Sequence, residues 1–174
     1  MLPGQMRCLS IIQRSCHHLP GTMKTIEIKR LADLKGLVGQ EIAISDWLTI
    51  TQERVNRFAE ATGDFQWIHV DPVKARDSPF KTTIAHGFLT LSLLPHFTGE
   101  CITMPSVRMG VNYGLNKVRF AHPVAVGSRL RARFSLMKVE DIADGVQMTM
   151  QATMEIEGVE KPACIAESIS RRYE

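Results

Sequence analysis

The chain is 174 residues long, with 44% hydrophobic and 22% charged residues, the make-up of one soluble globular domain with its own core. Its formal net charge of +3 argues against a nucleic-acid partner, whose phosphates call for a densely basic surface. No apolar run approaches the ~18–20 residues that a bilayer-crossing helix needs, so no membrane partner is expected.

Residues 1–22 hold Arg7, Arg14, His17 and His18 but no acidic residue, and their apolar positions follow no period. They read as a disordered N-terminal extension ahead of Met23. An organellar transit segment, basic and poor in acids, is the other reading. Residues 23–174 are expected to form a single domain. The four cysteines, Cys8, Cys16, Cys101 and Cys164, show no paired spacing. That fits reduced thiols of a cytoplasmic protein and offers no zinc framework, so no metal site is expected.

From Lys24 the pattern is that of a folded chain. Leu31, Leu34, Leu37 and Val38 have helix-like spacing around Gly36, which predicts a short helix or turn. Ile42, Ile44, Leu48 and Ile50 alternate with mostly polar residues and predict a half-buried strand. Thr51 offers an N-cap, and Val55, Phe58, Ala59 and Thr62 make one face of an amphipathic helix that Gly63 stops. Asp71-Pro72 is a second helix start, which Ser78-Pro79 interrupts. From His86 to Phe97 the chain carries Phe88, Leu89, Leu91, Leu93 and Leu94, the composition of a helix buried on nearly all sides, and Pro95 should kink or end it.

The rest predicts strands. Residues 107–111 and 116–120 flank an irregularity at Tyr113-Gly114. Residues 130–136 and 146–156 alternate apolar and polar side chains about an Asp144-Gly145 turn, and 163–171 follow a Glu157-Gly158 turn. Arg129, Arg131 and Arg133 alternate as a solvated strand face would. The order is α+β: helices first, then an antiparallel meander around one apolar helix.

Two runs carry candidate chemistry. In Gly63–Asp71 the carboxyl of Asp64 and the imidazole of His69 lie five residues apart, with Trp67 and Ile68 as an apolar wall of the kind that excludes water and shifts pKa values. A carboxylate and an imidazole that share one water can add it across an activated double bond. In the second run, His86-Gly87 opens the apolar helix. A backbone N–H at Gly87 suits a carbonyl oxygen that gains charge in a transition state, although the glycine could equally serve close packing. His96 and His122 fall in neither run and are not expected to be catalytic.

The pattern Phe58-Ala59-x-x-Thr62-Gly63-Asp64-x-x-x-x-His69-x-Asp71, followed by Ala85-His86-Gly87-x-Leu89, resembles the MaoC-like (R)-specific enoyl-CoA hydratase family. Gln66-Trp67-Ile68-His69 and the later Asn112-Tyr113-Gly114-Leu115-Asn116-Lys117-Val118-Arg119-Phe120 resemble its NodN-like branch. The resemblance implies a hot-dog fold, in which an antiparallel β-sheet wraps a long central α-helix, and a homodimer. It also implies an enoyl-CoA hydratase (a lyase of fatty acid metabolism) whose substrate is an acyl-CoA or acyl-carrier thioester and which uses no cofactor. Carried onto this chain, Asp64 and His69 are the catalytic pair, Gly87 polarises the thioester carbonyl, and Gln66, Trp67 and His86 border the substrate. Many family members have Asn-Pro where this chain has Gln66-Trp67. A hot-dog thioesterase and a non-catalytic acyl-binding protein remain the alternatives.

Overall fold

The computed structural model describes residues 22–174; the expectations for residues 1–21 lie outside them. A short strand β1 (Ile26–Glu27) and a 3-10 turn (Leu31–Leu37) lead into β2 (Glu41–Ile44) and β3 (Leu48–Thr49). The single strand expected over 42–50 is thus two pieces. Both pair antiparallel with the same later strand, and they are separated where the Asp46 side chain accepts from the Trp47 N–H at 2.7 Å. Helix α1 (Gln52–Thr62) follows, then two single-turn helices, α2 (Trp67–Val70) and α3 (Pro72–Ala75).

The apolar helix is split into α4 (Gly87–Ser92) and α5 (Leu94–Cys101). Pro95 has no N–H to give to the Leu91 carbonyl, so the helix tightens just ahead of it. There the Leu93 N–H is shared between the carbonyls of Leu89 at 3.2 Å and Thr90 at 3.3 Å. The expectation of burial on nearly all sides is corrected. Leu89, Leu93, Phe97 and Cys101 turn inward at four-residue intervals, whereas Phe88 is 69% exposed and Ser92 and Pro95 lie open. One stripe of the helix is bare in the single chain.

Strand β4 (Ile102–Thr103) pairs in parallel with β1. The main sheet is completed by β5 (Met109–Phe120), β6 (Arg129–Ile142), β7 (Gly145–Ile156) and β8 (Cys164–Tyr173), in the order β2-β6-β7-β8-β5 with β3 also on β6. The two strands expected around Tyr113-Gly114 are one strand, β5, which absorbs the irregularity as register shifts between Asn112 and Gly114 and between Leu115 and Lys117. The β6–β7 hairpin turns at Asp144, which adopts a φ of 57°.

The sheet curls around α4–α5, and the core lies between them. Phe97 from the helix meets Phe134, Leu130, Met148 and Met154 from β6 and β7, with Leu34 of the 3-10 turn closing one end. The methionines of β7 fill this space as adaptable core residues. On the outer face the three arginines of β6 are tied down rather than merely solvated. Arg129 pairs with Glu157 at 2.8 Å, Arg131 with Glu155 at 2.6 Å and Arg133 with Glu41 at 2.6 Å. The Arg131 guanidinium also lies 4.4 Å from the centre of the Trp47 ring, an attractive cation–π distance.

Candidate active site

The site starts from the end of α1. Thr51 caps its N-terminus by accepting from the Arg54 N–H at 3.2 Å, and Gly63 stops it in the left-handed region at φ 76°. A side chain at that φ would be strained, so glycine there lets the chain reverse and present Asp64. Oδ1 of Asp64 accepts from the Gln66 N–H at 3.3 Å, and the carboxylate remains 53% exposed. His69 follows on α2, a single helical turn. Asp71 holds the far side by accepting from the N–H groups of Val73 and Lys74.

His69 is only 7% exposed. Its Nδ1 lies 2.7 Å from the carbonyl oxygen of Ile84. A carbonyl can only accept, so Nδ1 carries the hydrogen and Nε2 keeps its lone pair. Burial pushes the His69 pKa below the usual imidazole range, and neighbouring His86 pushes the same way, while the Ile84 carbonyl and Asp64 pull back. Burial prevails, which favours the neutral ring.

His86 lies beneath His69. The two rings are stacked with centroids 3.8 Å apart and planes 26° from parallel, and Phe58 packs on the other side of His86 at 5.0 Å. The Nε2–H of His86 donates to the backbone carbonyl of Asp64 at 3.0 Å, its Nδ1 is buried without a partner, and the residue is 2% exposed. His86 therefore stands behind Asp64 and His69 and links the two. A ligating atom from each of Asp64, His69 and His86 lies within 4.8 Å of the others.

A cavity of about 350 Å³ opens beside His69 and is lined by Gly87, Ile84, Ala85 and Thr90 on one side and Phe80, Phe120 and Val124 on the other. The Gly87 N–H opens α4 and has no acceptor among the described residues. Gly87 also meets the packing demand considered from sequence, since a Cβ there would lie 3.0 Å from the Phe120 ring. Gln66 and Trp67 are brought to the edge of the site but do not line this cavity. The Gln66 backbone, not its side chain, contacts Asp64, and the Lys74 ammonium lies 4.9 Å over the Trp67 ring. The apolar wall assigned to Trp67 is formed instead by Phe80 and Phe120. His122, set aside from sequence, does line the cavity, and its Nδ1 donates to the Pro123 carbonyl at 2.8 Å.

The MaoC like domain family matches residues 33–158, which takes in Asp64, His69, His86 and Gly87. The chain belongs to that family. Among its MaoC-like relatives is 3-hydroxyacyl-thioester dehydratase Z of Mycobacterium tuberculosis, 57% identical over 150 residues that cover 86% of this chain and 98% of the relative. Nodulation protein N of Rhizobium leguminosarum bv. viciae is 47% identical over 147 residues, covering 80% and 89%. Of solved MaoC-like folds, the (R)-hydratase from A. caviae involved in PHA biosynthesis superposes with a TM-score of 0.63 at 24% identity, covering 76% of this chain and 94% of that one. The sheet wrapped on α4–α5 is the hot-dog fold of these proteins.

Nothing in the sequence marked His122 or Phe120 as cavity residues, because they reach it only through the β5–β8 pairing that brings Ala121 to Ala163 at 2.9 Å.

Proposed function

We propose that this protein catalyses the (R)-specific hydration of trans-2-enoyl thioesters to (R)-3-hydroxyacyl thioesters, and the reverse dehydration. One observation carries the reading: His69, with Nε2 unprotonated, and the free Gly87 N–H line one cavity, and the Asp64 carboxylate comes within 4.8 Å of a ring nitrogen of His69, in a chain closely similar over 86% of its length to a 3-hydroxyacyl-thioester dehydratase. Two acceptors, Asp64 and Nε2 of His69, grip the two hydrogens of one water and turn its lone pair toward C3. As the C3–O bond forms, one water proton passes to a member of the pair. The alkene electrons move to C2 and the thioester oxygen, where the Gly87 N–H stabilises the enolate. The same member then delivers its proton to C2, so water supplies both atoms added and no cofactor enters. Positioned acid–base groups contribute ~10²–10⁴-fold and an oxyanion donor a further ~10²–10³-fold, sufficient for an alkene already activated by a thioester.

The acyl group is carried on coenzyme A or on an acyl-carrier protein, and the protein works as a homodimer. Among the described residues strand β5 pairs only with β8 and leaves its other edge open, with Met109, Tyr113 and Leu115 each about half exposed. A long bare edge of this kind invites a second strand. Next to it, a groove of about 730 Å³ runs between α5 and β8, holding the bare helix positions Ser92 and Pro95, the unpartnered buried hydroxyl of Ser170 and the half-buried Arg172. A second copy would cover both. The buried free thiols Cys101 and Cys164, each with its pKa pushed up to about 11 chiefly by burial, suit a reducing compartment, and the cytoplasm is the proposed location. No helix among the described residues is long and apolar enough to cross a membrane.

The test is incubation with crotonyl-CoA and longer trans-2-enoyl-CoAs. Loss of the enoyl absorbance with formation of the (R)-3-hydroxyacyl-CoA is the expected result. Thiol release would replace this reading with a thioesterase, and no change at any chain length would replace it with an acyl-binding protein.

A further inference from the structure

We infer that Gln52 and Thr83 are positioning residues for His69, forming a polar brace that fixes the direction of its imidazole. The inference rests on the hydratase reading for its kinetic consequence, though not for its geometry. Gln52 opens α1, far from both sequence motifs, yet its amide is fully engaged. Nε2 donates to the backbone carbonyl of His69 at 2.8 Å and to Oδ1 of Asn56 at 2.8 Å, while Oε1 accepts from the Thr83 hydroxyl at 2.5 Å. The His69 carbonyl can only accept and so must face the NH₂, which leaves Oε1 toward Thr83 and settles the amide orientation.

Thr83 is 2% exposed, and its backbone carbonyl is held by the Val126 N–H at 2.9 Å. It directly precedes Ile84, whose N–H donates to the Ile68 carbonyl at 3.0 Å and whose carbonyl takes the His69 Nδ1–H at 2.7 Å. Residues 68–69 and 83–84 are therefore joined by two direct hydrogen bonds and by a third link through Gln52. Both ends of the imidazole's support pass through this link: the peptide that carries the ring and the peptide that fixes its tautomer. A single helical turn such as α2 cannot hold its own end carbonyls within the helix, so the His69 carbonyl relies on Gln52. With the brace lost, α2 can rotate against residues 83–84, and Nε2 swings away from the water that Asp64 holds. Misplacement of a catalytic group by as little as ~1 Å can cost up to ~10²-fold in rate.

The test compares Gln52→Leu, Thr83→Val and Thr83→Ser in the full chain. Gln52→Leu and Thr83→Val should lower kcat for crotonyl-CoA about 10-fold with KM within about twofold of wild type. The His69 Nδ1–H, followed by imidazole proton–nitrogen NMR, should exchange with water about 10-fold faster in both, as expected when its local protection is weakened. Thr83→Ser keeps the hydroxyl and should restore both values. Unchanged kcat and unchanged exchange alongside a lower Tm would overturn the inference, since the brace would then serve the fold alone. Equal losses in Thr83→Ser and Thr83→Val would overturn it as well, because packing volume rather than the hydroxyl would be responsible. The exchange measurement needs no turnover, so an inactive wild type would count against the hydratase reading and leave the brace to be judged by NMR.

Discussion

The two sides of the α4–α5 helix are finished to different degrees. On the side of Gly87 and Thr90, polar atoms around Asp64 and His69 are fixed by main-chain partners: His69 by Ile84, Nε2 of His86 by Asp64, and the Asp64 carboxylate by the Gln66 N–H. On the side of Ser92 and Pro95, among the described residues the hydroxyl of Ser170 is buried without a partner, and the Arg172 guanidinium reaches only the carbonyl of Arg171. Burial holds Arg172 below the usual guanidinium range, the sign of a cation short of compensation. Alternate inward positions of β8 run from Cys164 and Ala166 to Ser168, Ser170 and Arg172. A single strand thus begins as core and ends as a polar surface under a groove. On the first side most polar atoms find partners within the chain, although Nδ1 of His86 is buried without one among the described residues; the second leaves the Ser170 hydroxyl and the Arg172 guanidinium along an open groove.

The strongest way to break the comparison is to remove chemistry from the finished side. Asp64→Asn and His69→Gln should each lower hydration of crotonyl-CoA by ~10²–10⁴-fold while thermal unfolding stays cooperative; full activity in either variant would remove the pair from the mechanism. On the unfinished side, Leu115→Glu puts a charge on the open edge of β5. Sedimentation should show a dimer in the wild type weakened at least ~10-fold by a like-charge contact across the axis. A wild type that sediments as a monomer at all concentrations would show that the groove is not filled by a second copy.

Gly87→Ala tests the contact between the two sides. The added Cβ would stand 3.0 Å from the Phe120 ring, and the variant should lose about 1–3 kcal/mol of stability, as for overpacked cores, with a drop in activity as the N–H shifts. The pH dependence sharpens the account of His69. Its folded pKa lies below the ordinary value of 6.5, so the neutral ring persists as pH falls past 6.5. The acid limb of kcat/KM should then lie below pH 6.5. Stability should decline over the same window, between 6.5 and the lower folded value, because the unfolded chain takes up the proton first. A limb above 6.5 would contradict this order. The smallest effect is expected at Arg129→Ala. Its pair with Glu157 is nearly half exposed on both partners and should contribute no more than ~1 kcal/mol, with turnover of coenzyme A thioesters unchanged.

Much of the finished side was legible because its signals are local. The Thr51 cap, the Gly63 stop and the Asp71-Pro72 start each depend on neighbours within one helical turn, and each lies where its spacing requires. Strand alternation in β6 and β7 likewise follows from one buried face. The miscalled features depend on distant partners. The strand expected over 42–50 is broken into β2 and β3, and between them Trp47 is the plate on which Arg131 rests. The apolar helix looked buried all round because the sequence does not tell which of its apolar residues face the sheet and which, like Phe88, stay exposed in the single chain.

The sequence by itself determined the proposed reacting groups, Asp64 and His69, only as candidates, and the path of the chain near them, since capping, turn chemistry and alternation act over a few residues. The tertiary structure decided how those groups are used. Stacking of His86 under His69, the Ile84 carbonyl that leaves Nε2 unprotonated, the Gln52–Thr83 brace and the Phe120 wall join segments 15 to 51 residues apart. Such contacts are set by where the sheet closes around the helix, a global outcome of burying one core, and no local pattern in the chain encodes them.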